Sequence, residues 1–183
     1  MSWKCRAGKI FTSVGVGLRS AMVCFLGLAA CQPSSVSDQL FITFGSGENS
    51  PPAQIDMDCE TEDCDGSEVV GVEVTWGAAS SAPEDATVEL EQYRIDYYLP
   101  ALGDEEVPYF AGVLSAVVPV GETVSFNVRA AGEPQREFVR ARTDDPIDGV
   151  ATITVAGYDH RNEIVQVSAD FEVVFGDFSV ETP

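Results

Sequence analysis

Val69-Val70-Gly71-Val72-Glu73-Val74-Thr75-Trp76 decides the fold class of this 183-residue chain. Val70, Val72, Val74 and Trp76 fall on one side of an extended backbone, and Gly71, Glu73 and Thr75 fall on the other. That period of two belongs to a strand with one buried face. Outward from this stretch the same period continues. Val88 and Leu90 share one parity and Tyr93, Ile95, Tyr97 and Leu99 the other, which predicts a β-bulge or corner near Glu91-Gln92. Leu114, Ala116 and Val118 follow, then Val124, Phe126 and Val128, then a weaker run around Phe138 and Val139. Ile153 and Val155 lead into the clearest run, Val165, Val167, Ala169, Phe171, Val173 and Phe175.

Turn-forming segments separate these runs: Gly77 to Pro83, Gly103-Asp104, Val120-Gly121-Glu122, Gly132-Glu133-Pro134, Asp144-Asp145-Pro146 and Asp159 to Asn162. No segment has a long helical period. About seven or eight short strands at this spacing predict an all-β sandwich. One domain over residues 55 to 183 is the economical count, since a chain of that length encloses a single core.

Val72-Glu73-Val74-Thr75-Trp76 followed by Tyr93-Arg94-Ile95-Asp96-Tyr97 resembles strands B and C of a fibronectin type III domain. Ala151-Thr152-Ile153-Thr154-Val155-Ala156-Gly157, the turn Asp159-His160-Arg161-Asn162 and the run after it resemble that family's F–G hairpin. The chain departs from the family where strand F begins, with Val150 or Ala151 in place of the usual Tyr. What the resemblance implies is an immunoglobulin-like sandwich over residues 69 to 176.

The charge divides the chain in two. Of its 10 basic residues, Lys4, Arg6, Lys9 and Arg19 precede residue 31, where there is no acid. The remainder holds six arginines, no lysine and all 30 acids, a formal charge of −24. A basic segment, the apolar run Ala21-Met22-Val23-Cys24-Phe25-Leu26-Gly27-Leu28 and small residues after it form the layout of a secretory signal peptide over residues 1 to 30. The apolar run falls short of the ~20 residues that span a bilayer. Leu28-Ala29-Ala30-Cys31 resembles the lipobox of bacterial lipoproteins. The resemblance implies cleavage before Cys31, lipidation of its thiol and a membrane anchor. Gln32 follows, where lipoproteins kept at the inner membrane typically carry Asp, so an outer-membrane destination is implied.

Residues 31 to 54 read as the lipidated cysteine and a Gly-, Ser- and Pro-bearing tether. Within it Asp38-Gln39-Leu40-Phe41-Ile42-Thr43-Phe44 is either a first strand or an apolar patch. Cys59 and Cys64 are the even pair left once Cys5 and Cys24 are removed and Cys31 is lipidated. In an oxidising compartment they are expected to close a disulfide loop; as a zinc site they would supply only two of four ligands. The loop lies in the acidic stretch 56 to 68, where Asp56, Asp58, Glu60, Asp63 and Asp65 offer oxygens suited to calcium. Their order departs from the EF-hand loop, and a solvated acidic loop is the competing expectation.

No residue set calls for catalysis. His160, the one histidine, falls in a turn and is expected to be a solvated imidazole without nucleophile or metal beside it. Arg136, Arg140 and Arg142 form the one basic cluster after residue 31; they either receive a carboxylate or phosphate or, as expected, pair with acids on an exposed sheet face. Tyr97-Tyr98-Leu99-Pro100 and Val107-Pro108-Tyr109-Phe110 enclose the acidic turn Asp104-Glu105-Glu106. Exposed, these aromatics would form a binding surface; the expectation is that they are buried ends of the core. A charge of −24 opposes nucleic-acid binding. The expected function is a non-catalytic interaction or structural module of the cell envelope, with a protein or envelope-polymer partner. A calcium-dependent binding module is the second reading, and an envelope hydrolase or its accessory domain the third.

Overall fold

The computed structural model describes residues 36–45, 50–57, 68–77 and 82–178. Cys31, Cys59 and Cys64 lie outside the described residues, as do Asp58, Glu60, Asp63 and Asp65 of the calcium expectation. After a 3-10 turn at Val36–Gln39 come β1 (Leu40–Phe44), β2 (Ala53–Asp56), β3 (Val69–Trp76), β4 (Thr87–Tyr98), β5 (Phe110–Pro119), β6 (Thr123–Arg129), the helix α1 (Glu133–Arg140), β7 (Ile147–Asp159) and β8 (Ile164–Gly176). They form two packed sheets, ordered β1-β3-β6 and β2-β8-β7-β4-β5. The all-β sandwich is as the alternation predicts.

The core lies where the inward parities of the two sheets meet. Val70, Val72, Val74 and Trp76 of β3 are fully buried, facing Val88, Ile95, Ile153, Val155, Val173 and Phe175 of the larger sheet. Each such side chain contributes about 1.5–3 kcal/mol by leaving water. Phe44 reaches across from β1 to Phe171, ring centroids 5.3 Å apart. Leu40–Phe44 is thus a strand, paired antiparallel with β3 from Leu40↔Trp76 to Phe44↔Val72.

The parity switch in β4 is a bulge. Leu90 pairs with Ala116 and Gln92 with Val113, so Glu91 faces both Leu114 and Ser115. On the other side β7 passes close at the same point. A Cβ on Gly157 would run into the carbonyl of Glu89, so glycine is required there. The bulge also bends β5, an edge strand without charged residues, and so interrupts an edge that would otherwise template further pairing.

Three expectations change. The run Phe138-Val139 is not a strand: it lies in α1, whose first turn uses the expected turn Gly132-Glu133-Pro134. Gln135 Oε1 accepts the Gly132 N–H at 3.0 Å, Pro134 sits in the first turn where no N–H is needed, and Arg140 stands near the negative end of the helix dipole. Val139 is the one fully buried apolar side chain of α1, too little for a helical period to show. Secondly, β2 begins inside the stretch read as tether and pairs parallel with β8, Ala53↔Val173 to Asp56↔Gly176. Thirdly, Arg136 is not on an exposed sheet face but buried on α1.

Candidate functional site

The outward parity of β4 after the bulge is Gln92, Arg94, Asp96 and Tyr98. Arg94 and Asp96 therefore project side by side from the outer face of the five-stranded sheet. Arg94 Nη2 meets Asp96 Oδ1 at 2.5 Å, and Nε reaches both carboxylate oxygens at 2.9 and 3.0 Å. That hydrogen bonding holds the guanidinium above its ordinary pKa. The guanidinium carbon also sits 4.2 Å from the centre of the Tyr109 ring, within reach of a cation–π contact.

Beyond Tyr98 the chain turns through a 3-10 turn, Pro100–Leu102, and returns along residues 103 to 109 into β5. Between this return and the end of β4 opens a cleft of about 530 Å³, lined by Arg94, Asp96, Tyr98, Asp104, Glu105, Glu106 and Tyr109 among others. Tyr98 is 64% exposed and Tyr109 57%. The expectation that these aromatics are buried core ends fails for both, because Tyr98 has outward parity and Tyr109 precedes β5. It holds in part for Tyr97, which points inward: its hydroxyl donates to the Ala130 carbonyl, and its ring meets Phe175 edge-on at 6.0 Å. Burial first, then the charges of Tyr93, Glu68 and Asp96, push the Tyr97 hydroxyl above the ordinary phenol range, so it remains a donor.

The helix that the periodicity did not reveal holds the outer wall of the cleft at two points. Gln135 Nε2 donates to the carbonyls of Pro108 at 3.1 Å and Tyr109 at 2.9 Å. Arg142, just past the helix, meets Glu105 Oε2 at 2.5 Å and lies 3.4 Å over the Phe138 ring. The helix is in turn fixed to the start of β3. Arg136 Nη1 donates to Glu68 Oε1 at 2.6 Å, both side chains being buried, and Nη2 meets Glu133 at 2.8 Å. Arg129 Nε stands 3.4 Å from the second Glu68 oxygen. Burial raises the Glu68 carboxyl, and the charges and hydrogen bonds of Arg136 and Arg129 offset this only in part. A buried acid spaced 68 residues from its arginine carries no local sequence signal; the exposed tyrosines were legible as the open alternative.

Elsewhere, His160 is exposed, as expected of a turn residue, and its ring stacks on Trp76 at 6.2 Å. Asp159, beside it, has a fully buried carboxylate that accepts the N–H groups of Arg161 and Glu163, each at 2.9 Å. Burial alone would raise this carboxyl; those hydrogen bonds and Arg161 outweigh it and leave the value below the ordinary range. Asp56, the one described member of the calcium expectation, closes β2 opposite Gly176. Among the described residues no three His, Cys, Asp or Glu side chains gather as a metal site. Among them also, no helix is long and apolar enough to cross a membrane.

What the cleft offers chemically is two aromatic faces, carboxylates and a guanidinium already committed to one of them. That set binds by stacking, hydrogen bonding and charge. No protein-family model matches the chain, and no curated protein matches it.

Proposed function

We propose that the chain is a lipid-anchored, non-catalytic interaction module of a bacterial cell envelope, and that the Tyr98–Tyr109 cleft is its interaction surface. The cleft carries the reading: two half-exposed tyrosines flank a concavity whose outer wall is braced by Gln135 and Arg142. Aromatic side chains held in place by a rigid scaffold supply contact area at little cost in conformational entropy.

Anchoring rests on Leu28-Ala29-Ala30-Cys31 behind a basic and apolar leader, with Gln32 favouring the outer membrane. An immunoglobulin-like sandwich of the fibronectin type III kind is supported by the strand grouping. β3 and β4 lie in opposite sheets as strands B and C do, and β8-β7-β4 run in the order G-F-C. The partner is a protein or an envelope polymer, and the −24 charge after residue 30 speaks against nucleic acid.

The test has two arms. Cys31→Ser is expected to abolish incorporation of labelled fatty acid and release the chain from membranes; continued labelling overturns the anchor. Partners cross-linked to the wild-type chain in intact envelopes are expected to disappear with Tyr98→Ala and Tyr109→Ala together. If they persist, the cleft is not the interaction surface.

A further inference from the structure

We propose that the Tyr98–Tyr109 cleft receives a cationic group, the ammonium or guanidinium of a basic segment on a protein partner. The inference rests on the reading of the cleft as the interaction surface and adds the chemical class of what enters it.

The first observation is that the cleft already contains this interaction once. Arg94 lies over the Tyr109 ring at 4.2 Å while Asp96 holds it from the side at 2.5 Å. A guanidinium between an aromatic face and a carboxylate is thus an arrangement that the local backbone geometry accepts. Tyr98, of the same outward parity two residues past Asp96 and more exposed than Tyr109, has no cation over it among the described residues.

The second observation is the charge left over. Four carboxylates line the cleft: Asp96, Asp104, Glu105 and Glu106. Arg94 is committed to Asp96 and Arg142 to Glu105. Asp104 and Glu106 are exposed and have no ion pair among the described residues. An open aromatic ring in the same cleft as two unmatched carboxylates complements a cation and repels an anion.

The third is that the chain has little of its own with which to fill the gap. It carries no lysine after residue 30, and its charge of −24 there draws cations towards any concave acidic surface. A neutral sugar could stack on the same tyrosines but would gain nothing from the unmatched charge, so it is the competing occupant in the test.

The full-length chain, held in neutral detergent, is labelled with 3-fluorotyrosine, giving five resonances for Tyr93, Tyr97, Tyr98, Tyr109 and Tyr158. It is titrated with hexalysine, with fully acetylated hexalysine and with a neutral N-acetylglucosamine oligomer. Hexalysine is expected to shift Tyr98 and Tyr109 saturably and leave Tyr158 in place. Tyr98→Ala and the pair Asp104→Asn with Glu106→Gln are each expected to weaken it about fivefold or more, the size of one cation–π or charge contact. Glu84→Gln with Asp85→Asn, at the opposite end of β4, is expected to change it less than about twofold. Unmoved Tyr93 and Tyr97 resonances show that each variant is folded.

Equal binding of the acetylated peptide, binding of the sugar oligomer alone, or equal weakening by the distant pair overturns the cationic assignment. If hexalysine leaves Tyr98 and Tyr109 unmoved while the cross-linked partner still depends on them, the class is wrong and the surface stands. If that dependence is also lost, both readings fall.

Discussion

Two arginine–carboxylate pairs in this molecule have nearly the same shortest N···O distance and opposite consequences. Arg136 meets Glu68 at 2.6 Å with side chains 8% and 0% exposed; Arg94 meets Asp96 at 2.5 Å with side chains 54% and 47% exposed. In the first, water is gone, so each charge depends on its partner and the pair fastens α1 to β3. In the second, water competes for both partners, so the pair contributes little to stability although it is closed at the rim of a cleft. Length does not decide what an ion pair does; the solvent around it does.

The most forceful way to break the contrast is Arg136→Ala, which leaves Glu68 buried without its main partner. A loss of about 3–5 kcal/mol is expected by denaturant titration at neutral pH. Because the native Glu68 carboxyl is raised, it takes up a proton as pH falls, and the loss should shrink towards acid pH. Replacing both partners, Glu68→Gln with Arg136→Met, should recover most of the stability. A double variant as weak as Arg136→Ala would mean that the pair acts through more than its charges.

Gln135→Ala comes next. It orphans the buried Gly132 N–H and frees the carbonyls of Pro108 and Tyr109, for a loss of about 1–3 kcal/mol. Hydrogen exchange should rise at Gly132 and in the following turn of α1. Unchanged protection would show that the wall of the cleft is not held by this side chain.

Asp159 is a third case, a buried carboxylate lowered because backbone N–H groups outweigh desolvation. A lowered native value means its contribution is fully present above the unfolded value, about pH 4, and is lost as pH falls through the native one. The gap in melting temperature between wild type and Asp159→Asn should therefore be full at pH 5 to 7 and close on acidification. Glu68→Gln, which leaves the buried Arg136 without its main carboxylate, should show the opposite trend, its deficit relative to wild type narrowing as pH rises from 4. Parallel curves for these variants would contradict the opposing shifts.

The smallest effect on stability belongs to Arg94→Ala, whose melting curve should superimpose on that of the wild type. Its sharper readout is binding: removing that guanidinium leaves Asp96 unmatched and bares the Tyr109 face, so hexalysine should bind more tightly. Weaker hexalysine binding would indicate that Arg94 itself contacts the ligand.

Much of the sandwich was legible because alternation is a local property. Val70 to Trp76, the switch between Leu90 and Tyr93, and Val165 to Phe175 each show their inward face without reference to another strand. The candidate site was less legible. Tyr98 and Tyr109 stood in the right segments, yet an apolar ring fits a core end as well as a surface, and only the outward parity of β4 and the position before β5 exposed them. The brace behind them was hidden altogether, since α1 buries Gln135, Arg136 and Val139, two of which are polar.

The sequence by itself determined most of the strands, the bulge, the acidic composition and the lipobox-like Leu28-Ala29-Ala30-Cys31, because each is written in the residues themselves. Only the tertiary structure decided that Phe138 and Val139 belong to a helix, that β2 runs parallel to β8, that Arg136 is buried against Glu68, and that Tyr98 and Tyr109 face a cleft. The reason is physical. Burial and charge compensation depend on which distant segments exclude water together, and a pair 68 residues apart has no local period to announce it.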